Sequence, residues 1–174
     1  MKQRLLILSD LWGKENADWV STYVENLSED FEVVFYSSCE LAGIPDFDIT
    51  EHERHRLFIE SGVEEAVENL LSLEKEEVVI LAFSIGGTIG WKASLAGLKI
   101  ASFYAVSATR LRYEKEKPLN KVTLYYGEGD AYKPDVSWFE KMKVDYHIIP
   151  KGTHELYRDK EFAKKLCLEI KSKR

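Results

Sequence analysis

Short, almost continuously apolar runs alternate along the chain with longer segments whose apolar residues recur every three or four positions. Runs such as residues 4–9 (RLLILS) and 78–83 (VVILAF) have the pattern of strands buried on both faces. Segments such as residues 61–73 place their apolar residues on one side of a helix. The predicted strands are residues 4–9, 31–36, 78–83, 99–106, 121–126 and 144–149, and the predicted helices are residues 16–27, 61–73, 86–96 and 157–171.

This alternation predicts an α/β fold, a three-layer α/β/α sandwich around a mainly parallel six-stranded sheet. The pattern is least clear in residues 37–60. No repeat, low-complexity segment or linker divides the sequence, so we expect residues 1–174 to form a single domain. In such sheets, functional groups lie in the loops after the carboxyl ends of the strands, and candidate chemistry is expected there.

A serine follows the third predicted strand, within the segment AFSIGG at residues 82–87. A serine on a sharp strand-to-helix turn needs small residues two positions before and two after it, as in the pattern G-x-S-x-G. Ala82 and Gly86 meet that need. The turn would lift the Ser84 hydroxyl above the sheet and direct the Ile85 amide at the helix start, where negative charge is stabilised. Ser84 is therefore the candidate nucleophile, although a plain glycine-containing turn could have the same sequence.

A serine nucleophile needs a base, and the chain has four histidines. His154 belongs to the segment PKGTH at residues 150–154, after the last predicted strand, and alone lies at the carboxyl end of the sheet. His147 falls inside a predicted strand, while His52 and His55 lie in a polar stretch typical of a solvated helix face. His154 is the candidate base.

An acidic residue that orients the base is expected in the loop after the fifth strand, where residues 127–130 read GEGD. Two glycines allow a tight turn that brings a carboxylate towards the last loop. That carboxylate would accept a bond from the imidazole and stabilise the imidazolium as it forms. Asp130 is the first choice, Glu128 is the fallback, and Asp135 is less favoured.

The charge balance argues against two classes of partner. Lys plus Arg is 24 and Asp plus Glu is 30, which gives a net charge of −6. A negative chain without a basic stripe is not attracted to nucleic acid or to an anionic membrane surface. We therefore expect no nucleic-acid and no membrane partner.

The cysteines and the N-terminal sequence indicate a cytoplasmic protein. Cys39 and Cys167 lie far apart without CxxC spacing, which is typical of reduced thiols rather than of a zinc site. The apolar run at residues 5–8 is too short for a signal peptide or a membrane span. No metal site is expected.

The chain order Ser84, Asp130, His154 resembles that of the α/β-hydrolase superfamily, particularly its small members without a lid domain. The resemblance spans nearly the whole chain, from LLILSD at residues 5–10 through AFSIGG and YYGEGD to KGTH at residues 151–154. It is looser to dienelactone-hydrolase relatives, which use a cysteine nucleophile. The resemblance implies the strand order 2-1-3-4-5-6.

The resemblance also implies that a second oxyanion donor comes from the loop after the first strand. The matching donor is the Leu11 amide, with Trp12 the neighbouring candidate, and it would act together with the Ile85 amide. Many members of the family have a His-Gly pair in this loop, whereas this chain reads SDLWG at residues 9–13. The conformation of the loop is thus left open.

Family members often insert a cap between the fourth and fifth strands. Residues 107–120 are too short and too charged for a cap, so an α/β-hydrolase fold without a cap and with an open, shallow site is implied. The aromatic candidates for lining it are Trp12, Phe83, Tyr132 and Trp138.

The expected function is that of a serine hydrolase, a carboxylesterase or thioesterase that cleaves a small ester or thioester through an acyl-enzyme without a metal or organic cofactor. Two alternatives stay open. The altered oxyanion loop suggests a catalytically silent fold used as a binding or interaction module. A flavodoxin-like protein that binds a nucleotide or phosphate is less favoured, because residues 86–90 match neither common phosphate-loop pattern.

Overall fold

The computed structural model describes residues 1–174 and contains one sheet of six strands. The strands are β1 (Gln3–Leu8), β2 (Phe31–Tyr36), β3 (Val78–Phe83), β4 (Ile100–Val106), β5 (Lys121–Gly127) and β6 (Asp145–Ile149). All neighbouring strands pair in parallel, in the order β2-β1-β3-β4-β5-β6. Both the parallel sheet and its strand order agree with the prediction.

Seven α-helices connect or flank the strands. They are α1 (Val20–Leu27), α2 (Ser38–Leu41), α3 (Glu51–Leu57), α4 (Val63–Leu73), α5 (Ile85–Leu95), α6 (Val136–Met142) and α7 (Lys160–Ser172). A π-helical turn at Phe58–Gly62 joins α3 to α4, and 3-10 turns lie at Leu111–Tyr113 and Leu156–Arg158. None of the helices has the length and apolar character needed to cross a membrane.

The sheet lies between two hydrophobic layers. In β1, Leu6 and Leu8 face the layer formed with α4 and α5, whereas Leu5 and Ile7 face the layer formed with α1 and α7. Successive side chains of a strand point to opposite faces, so strands apolar at every position are covered on both sides. The architecture is therefore the three-layer sandwich predicted from the strand pattern.

Local backbone conformation sets the helix boundaries that differ from the predicted ones. The first helix begins at Val20 and not at residue 16, because Asn16 has a left-handed φ of 53° that an α-helix does not contain. The last helix begins at Lys160, where the Asp159 side chain accepts a hydrogen bond from the Phe162 amide at 2.7 Å. Residues 37–60 contain α2 and α3, and the seven-residue α6 was not predicted.

No cap domain lies between β4 and β5. The connection, residues 107–120, contains only the 3-10 turn Leu111–Tyr113. The carboxyl end of the sheet is consequently left without an inserted domain.

Candidate active site

Ser84 lies at the turn between β3 and α5 in a backbone conformation that residues other than glycine rarely adopt. Its φ is 51° and its ψ is −119°, a strained combination that costs about 1–3 kcal/mol. Three hydrogen bonds hold it: the Ser84 amide donates to Val106 O at 3.0 Å, and Ser84 O accepts from the amides of Gly87 at 3.0 Å and Thr109 at 3.2 Å. The surrounding backbone therefore fixes the position of the serine.

The small residues that flank Ser84 are required by close backbone contacts. A Cβ atom built on Gly86 would lie 2.4 Å from Ser9 O and 2.6 Å from Leu8 O, at the end of β1. A Cβ on the next residue, Gly87, would lie 2.4 Å from the Ala108 Cβ. The glycine predicted two positions after the serine is needed, and the second glycine has a packing role that the motif did not indicate.

The three side chains selected from the sequence form one hydrogen-bonded series. Ser84 Oγ lies 3.0 Å from His154 Nε2, and His154 Nδ1 lies 3.0 Å from Asp130 Oδ2. An ionised carboxylate can only accept, so Nδ1 carries the imidazole proton and Nε2 accepts the bond from the serine hydroxyl. Ser84 is only 4% exposed, whereas the His154 side chain is 27% exposed.

Contact between two glycine-containing loops brings the acid to the histidine. A Cβ on Gly127 would lie 2.4 Å from the carbonyl carbon of Gly152, and the Gly129 amide donates to Gly152 O at 2.9 Å. Asp130 is fully buried, and its Oδ1 accepts from the Tyr132 amide at 2.8 Å, which leaves Oδ2 for His154. The loops touch through their backbones, which larger side chains at residues 127 and 152 would prevent.

The fallback acids make other contacts. The Glu128 carboxylate accepts a bond from the Lys151 amide at 3.0 Å and makes none to His154. Asp135 lies at the N-terminus of α6. Of the three acids considered, Asp130 is the one that the structure places against the imidazole.

The other histidines lie away from this series. The His147 ring stacks on Tyr125 with centroids 5.0 Å apart, and His52 and His55 lie on α3.

The loop after β1 leaves one of its two candidate amides free. The Trp12 amide donates to Asp10 Oδ1 at 3.0 Å, whereas the Leu11 amide donates no hydrogen bond within the protein. Ile85 is the first residue of α5, where amides lack intrahelical acceptors. The contact between Gly86 and Ser9 O brings the Ser84 turn against the start of this loop. Leu11 and Ile85 thus remain the candidate donors, and Trp12 is already bonded.

Asp10 is a buried group that the sequence did not single out. It is 1% exposed, and its Oδ2 accepts bonds from the Tyr157 hydroxyl at 2.9 Å and from Arg158 Nη2 at 3.3 Å. Burial raises the pKa of the Asp10 carboxyl above its ordinary value, although these bonds oppose the shift. The one feature of the sequence that could have identified Asp10 is its position directly before Leu11, the candidate oxyanion donor.

Two of the four aromatic residues proposed to line the site pack in the core or against it. Phe83 is fully buried between α1 and the sheet, and the Trp138 ring packs on Trp91 with its indole nitrogen donating to Glu114 O at 3.1 Å. Phe83 therefore does not line an open site, whereas for the half-buried Trp138 that role stays a prediction. Tyr132 is 47% exposed, with its ring edge-on to His154 at 5.0 Å.

The fourth aromatic candidate, Trp12, is half-buried beneath a cation. The Arg54 guanidinium lies 5.0 Å from the centre of its ring. Arg54 is itself buried and bonds to Glu15 at 2.8 Å. The Trp12 ring is therefore held in place by α3, the helix that carries Arg54.

No protein-family model and no curated protein matches the sequence. Solved structures do match. A predicted CIB-like hydrolase from Thermoplasma acidophilum has a TM-score of 0.74 at 16% identity, over 98% of this chain and 86% of that one. The α/β hydrolase domain-containing protein 10 from mouse has a TM-score of 0.71 at 13% identity, over 97% and 88%. For the 2-hydroxy-6-oxo-6-phenylhexa-2,4-dienoate hydrolase from Rhodococcus sp. strain RHA1, the TM-score is 0.72 at 12% identity, over 99% and 91%.

At these identities the likeness concerns the fold. The match extends over nearly the whole of this chain and most of each neighbour. It agrees with the parallel six-stranded sheet and its strand order. The chain has the fold of the α/β-hydrolase superfamily.

Proposed function

We propose that this protein is a serine hydrolase that cleaves a small ester or thioester through an acyl-enzyme intermediate. The observation that carries the proposal is the hydrogen-bonded series from Ser84 to His154 to Asp130, with 3.0 Å at each step. The strained conformation of Ser84 supports it, because strain held by surrounding bonds is typical of functional sites. The hydrolases among the structural neighbours support the reaction class.

In the first half-reaction, Ser84 Oγ attacks the substrate carbonyl carbon while His154 Nε2 takes the hydroxyl proton. The bond from Nδ1 to Asp130 keeps the imidazole in the required tautomer and stabilises the imidazolium. The tetrahedral intermediate collapses, the bond to the leaving alcohol or thiol breaks, and the imidazolium returns its proton to that group. The acyl group stays on Ser84.

Water completes the cycle. His154 accepts a proton from a water molecule whose oxygen attacks the acyl carbon. As the second intermediate collapses, the bond from the acyl carbon to Ser84 Oγ breaks, the imidazolium returns its proton to Oγ, and the carboxylic acid leaves. The protons of Ser84 and of the attacking water are thus both taken up by His154 Nε2. The reaction so written needs only side chains, backbone amides and water.

The developing oxyanion would be bound by the Leu11 and Ile85 amides. The Leu11 amide has no acceptor within the protein, and the Ile85 amide lies at the positive end of α5. One such donor contributes roughly 3–4 kcal/mol to catalysis. Asp10 assists by engaging the Trp12 amide, which fixes the turn that presents Leu11.

Labelling with a fluorophosphonate probe tests the proposal directly, since it reports an activated serine without knowledge of the substrate. We expect wild-type protein to be labelled, and Ser84→Ala and His154→Ala to lose labelling. Ser137→Ala is a matched control, because Ser137 is an exposed serine on α6. An unlabelled but folded wild type, or labelling that survives in Ser84→Ala, would favour a catalytically silent binding module.

A panel of esters and thioesters of increasing acyl length then defines the substrate range. Circular dichroism on each variant separates loss of the nucleophile from loss of the fold. We expect hydrolysis of short acyl chains, because residues 107–120 add no cap to enclose a long one.

A further inference from the structure

Two arginines next to the candidate site differ from every other arginine in the chain. Of seven arginines, five form ion pairs with carboxylates: Arg4, Arg54, Arg56, Arg158 and Arg174. Arg110 and Arg112 pair with none, although the chain has a net charge of −6. Both side chains are half-buried. Cations left without a counter-ion in an acidic protein indicate a site for an anion from outside the chain.

The first of these arginines is linked to the nucleophile. Arg110 follows Thr109, whose amide donates to Ser84 O at 3.2 Å. Thr109 O in turn accepts a bond from the Thr88 hydroxyl of α5 at 2.5 Å. Arg110 itself has a left-handed φ of 63°, a conformation that costs energy for a residue with a side chain. Arg110 is thus joined through the backbone of Thr109 to the turn that carries Ser84.

The second arginine is linked to the base. Arg112 Nη1 donates to Tyr132 O at 3.1 Å, and its guanidinium lies 5.9 Å from the centre of the Tyr132 ring. That ring lies edge-on to His154 at 5.0 Å. The two arginines are thus connected to Ser84 on one side and to His154 on the other.

A single tyrosine holds both guanidinium groups. The carbon atoms at the centre of the Arg110 and Arg112 guanidiniums lie 5.3 Å and 4.6 Å from the centre of the Tyr113 ring. Arg112 Nη2 also bonds the Tyr113 hydroxyl at 3.0 Å. Two positive charges close to one ring repel each other, and an anion that contacts both would reduce that repulsion.

A cavity adjoins these residues. It has a volume of about 430 Å³ and lies between α4, α5 and residues 107–120, with Arg110 and Tyr113 in its wall and Phe58 and Val63 among its apolar residues. The π-helical turn Phe58–Gly62 forms part of the wall, and such turns are frequent at functional sites.

The cavity also has acidic lining residues. Glu114 is neutralised by Lys92 at 3.0 Å, and neither Glu64 nor Glu116 pairs with Arg110. The unpaired Arg110 therefore remains available to a ligand.

We infer that the acyl group of the substrate carries an anionic oxygen group, a carboxylate or a phosphate, which Arg110 and Arg112 bind while Ser84 attacks the ester carbonyl. This inference rests on the proposed function of Ser84. Guanidinium groups suit it, because they bind planar or tetrahedral oxyanions through paired hydrogen bonds. The substrate class is that of half-esters or half-thioesters of short dibasic acids.

Three ethyl esters of equal acyl length test this inference: ethyl butyrate, monoethyl succinate and ethyl 3-phosphonopropionate. The first is neutral, the second carries a carboxylate and the third carries a phosphonate, so the last two distinguish the sources of the anion. We expect wild-type kcat/KM for one of the anionic esters to exceed that for ethyl butyrate by about tenfold, mainly through a lower KM.

The ratio of anionic to neutral kcat/KM is the measured quantity, because a general loss of activity cancels in it. Arg110→Gln and Arg112→Gln should each lower that ratio about tenfold. Arg56→Gln is the matched control and should leave the ratio unchanged, since Arg56 is an exposed arginine on α3 that pairs with Glu53 and Glu60. Preference for ethyl butyrate, or a ratio insensitive to Arg110→Gln, would overturn the inference while leaving the hydrolase proposal intact.

A binding measurement gives a readout that needs no turnover. In Ser84→Ala protein, calorimetry should detect monoethyl succinate or ethyl 3-phosphonopropionate binding more tightly than ethyl butyrate, and Arg110→Gln in that background should remove the difference. Equal affinities for all three esters would contradict the inference. Absence of probe labelling in the wild type would instead contradict the function of Ser84.

Discussion

The Tyr157 hydroxyl donates a hydrogen bond of 2.9 Å to Oδ2 of Asp10, and this bond joins the loop after β1 to the turn that follows His154. The same carboxylate holds the Trp12 amide through Oδ1. One buried side chain therefore fixes both the loop with the candidate oxyanion donor and the segment that carries the candidate base. Precise placement of both groups depends on this contact, since catalysis is sensitive to small displacements.

Breaking this contact should weaken both stability and turnover. We expect Asp10→Asn and Tyr157→Phe each to lower the free energy of unfolding by about 1–3 kcal/mol, because each leaves a buried polar partner unsatisfied. In a double-mutant cycle the two changes should couple by about 0.5–3 kcal/mol, measured by denaturant unfolding. Asp18→Asn is the control, since Asp18 is exposed. Strictly additive effects would show that the bond has no energetic role.

The assignment of the acid predicts a contrast between two neighbouring carboxylates. Asp130→Asn should reduce ester turnover by about 10⁴-fold, because an amide at Oδ2 favours the wrong imidazole tautomer, whereas Ser84→Ala or His154→Ala should reduce it by roughly 10⁴–10⁶-fold. Glu128→Gln should stay close to wild type, since the Glu128 carboxylate accepts a bond only from the Lys151 amide. Steady-state rates with one ester measure these losses. A larger loss of turnover in Glu128→Gln than in Asp130→Asn would assign the role of the acid to Glu128.

Sequence patterns were sufficient to place the sheet and to select the three hydrogen-bonded side chains. The strand Val78–Phe83 has its predicted bounds because a run of six apolar residues that begins with two valines favours a short strand buried on both faces. Ser84, Asp130 and His154 follow strands of one parallel sheet, whose carboxyl ends share an edge. Their catalytic roles stay predictions.

Other features depend on distant partners or on side-chain direction. Asp10 and Tyr157 are 147 residues apart, and no local pattern links them. The error at Phe83 was avoidable: it shares the alternation of Val79 and Leu81, which face α1 and α7 and not the open edge. Trp138 lies on α6, a helix too short to give a clear periodic signal.

The glycine contact between the acid and histidine loops leads to a third prediction. Gly127→Ala should lower both the free energy of unfolding, by about 1–3 kcal/mol, and ester turnover, because its Cβ would lie 2.4 Å from the Gly152 carbonyl carbon and push the loops apart. Gly129→Ala is the matched control in the same loop, since its Cβ would lie 3.3 Å from Gly152 O, which the loop can accommodate by a small shift. Equal losses in the two variants, measured by denaturant unfolding and ester hydrolysis, would contradict this explanation.

The buried carboxylate of Glu74 predicts how stability depends on pH. Burial alone would raise the pKa of Glu74, but two bonds from Arg4 at 2.9 Å and one from Tyr36 outweigh it, so the pKa lies below its ordinary value of 4.5. An acid whose pKa is lower in the folded state binds fewer protons there than in the unfolded chain. Its contribution to stability is therefore present above pH 4.5 and is lost as the pH falls through the folded-state value.

Replacing Glu74 should remove this contribution. At pH 7 we expect Glu74→Gln to lower the free energy of unfolding by about 1–3 kcal/mol, because the Arg4 side chain then lacks its buried partner. Below pH 4.5, Glu74 of the unfolded wild-type chain becomes protonated, which stabilises the unfolded state. The difference in the free energy of unfolding between wild type and Glu74→Gln should therefore become smaller there. Glu32→Gln is the matched control: Glu32 pairs with the same arginine but is 58% exposed, so its loss should cost less than about 1 kcal/mol. Denaturant unfolding between pH 3 and pH 7, at roughly one-unit steps, measures the free energy of unfolding of wild type and of both variants. If the difference between wild type and Glu74→Gln stays constant over this range, the ion pair does not cause the pH dependence of stability.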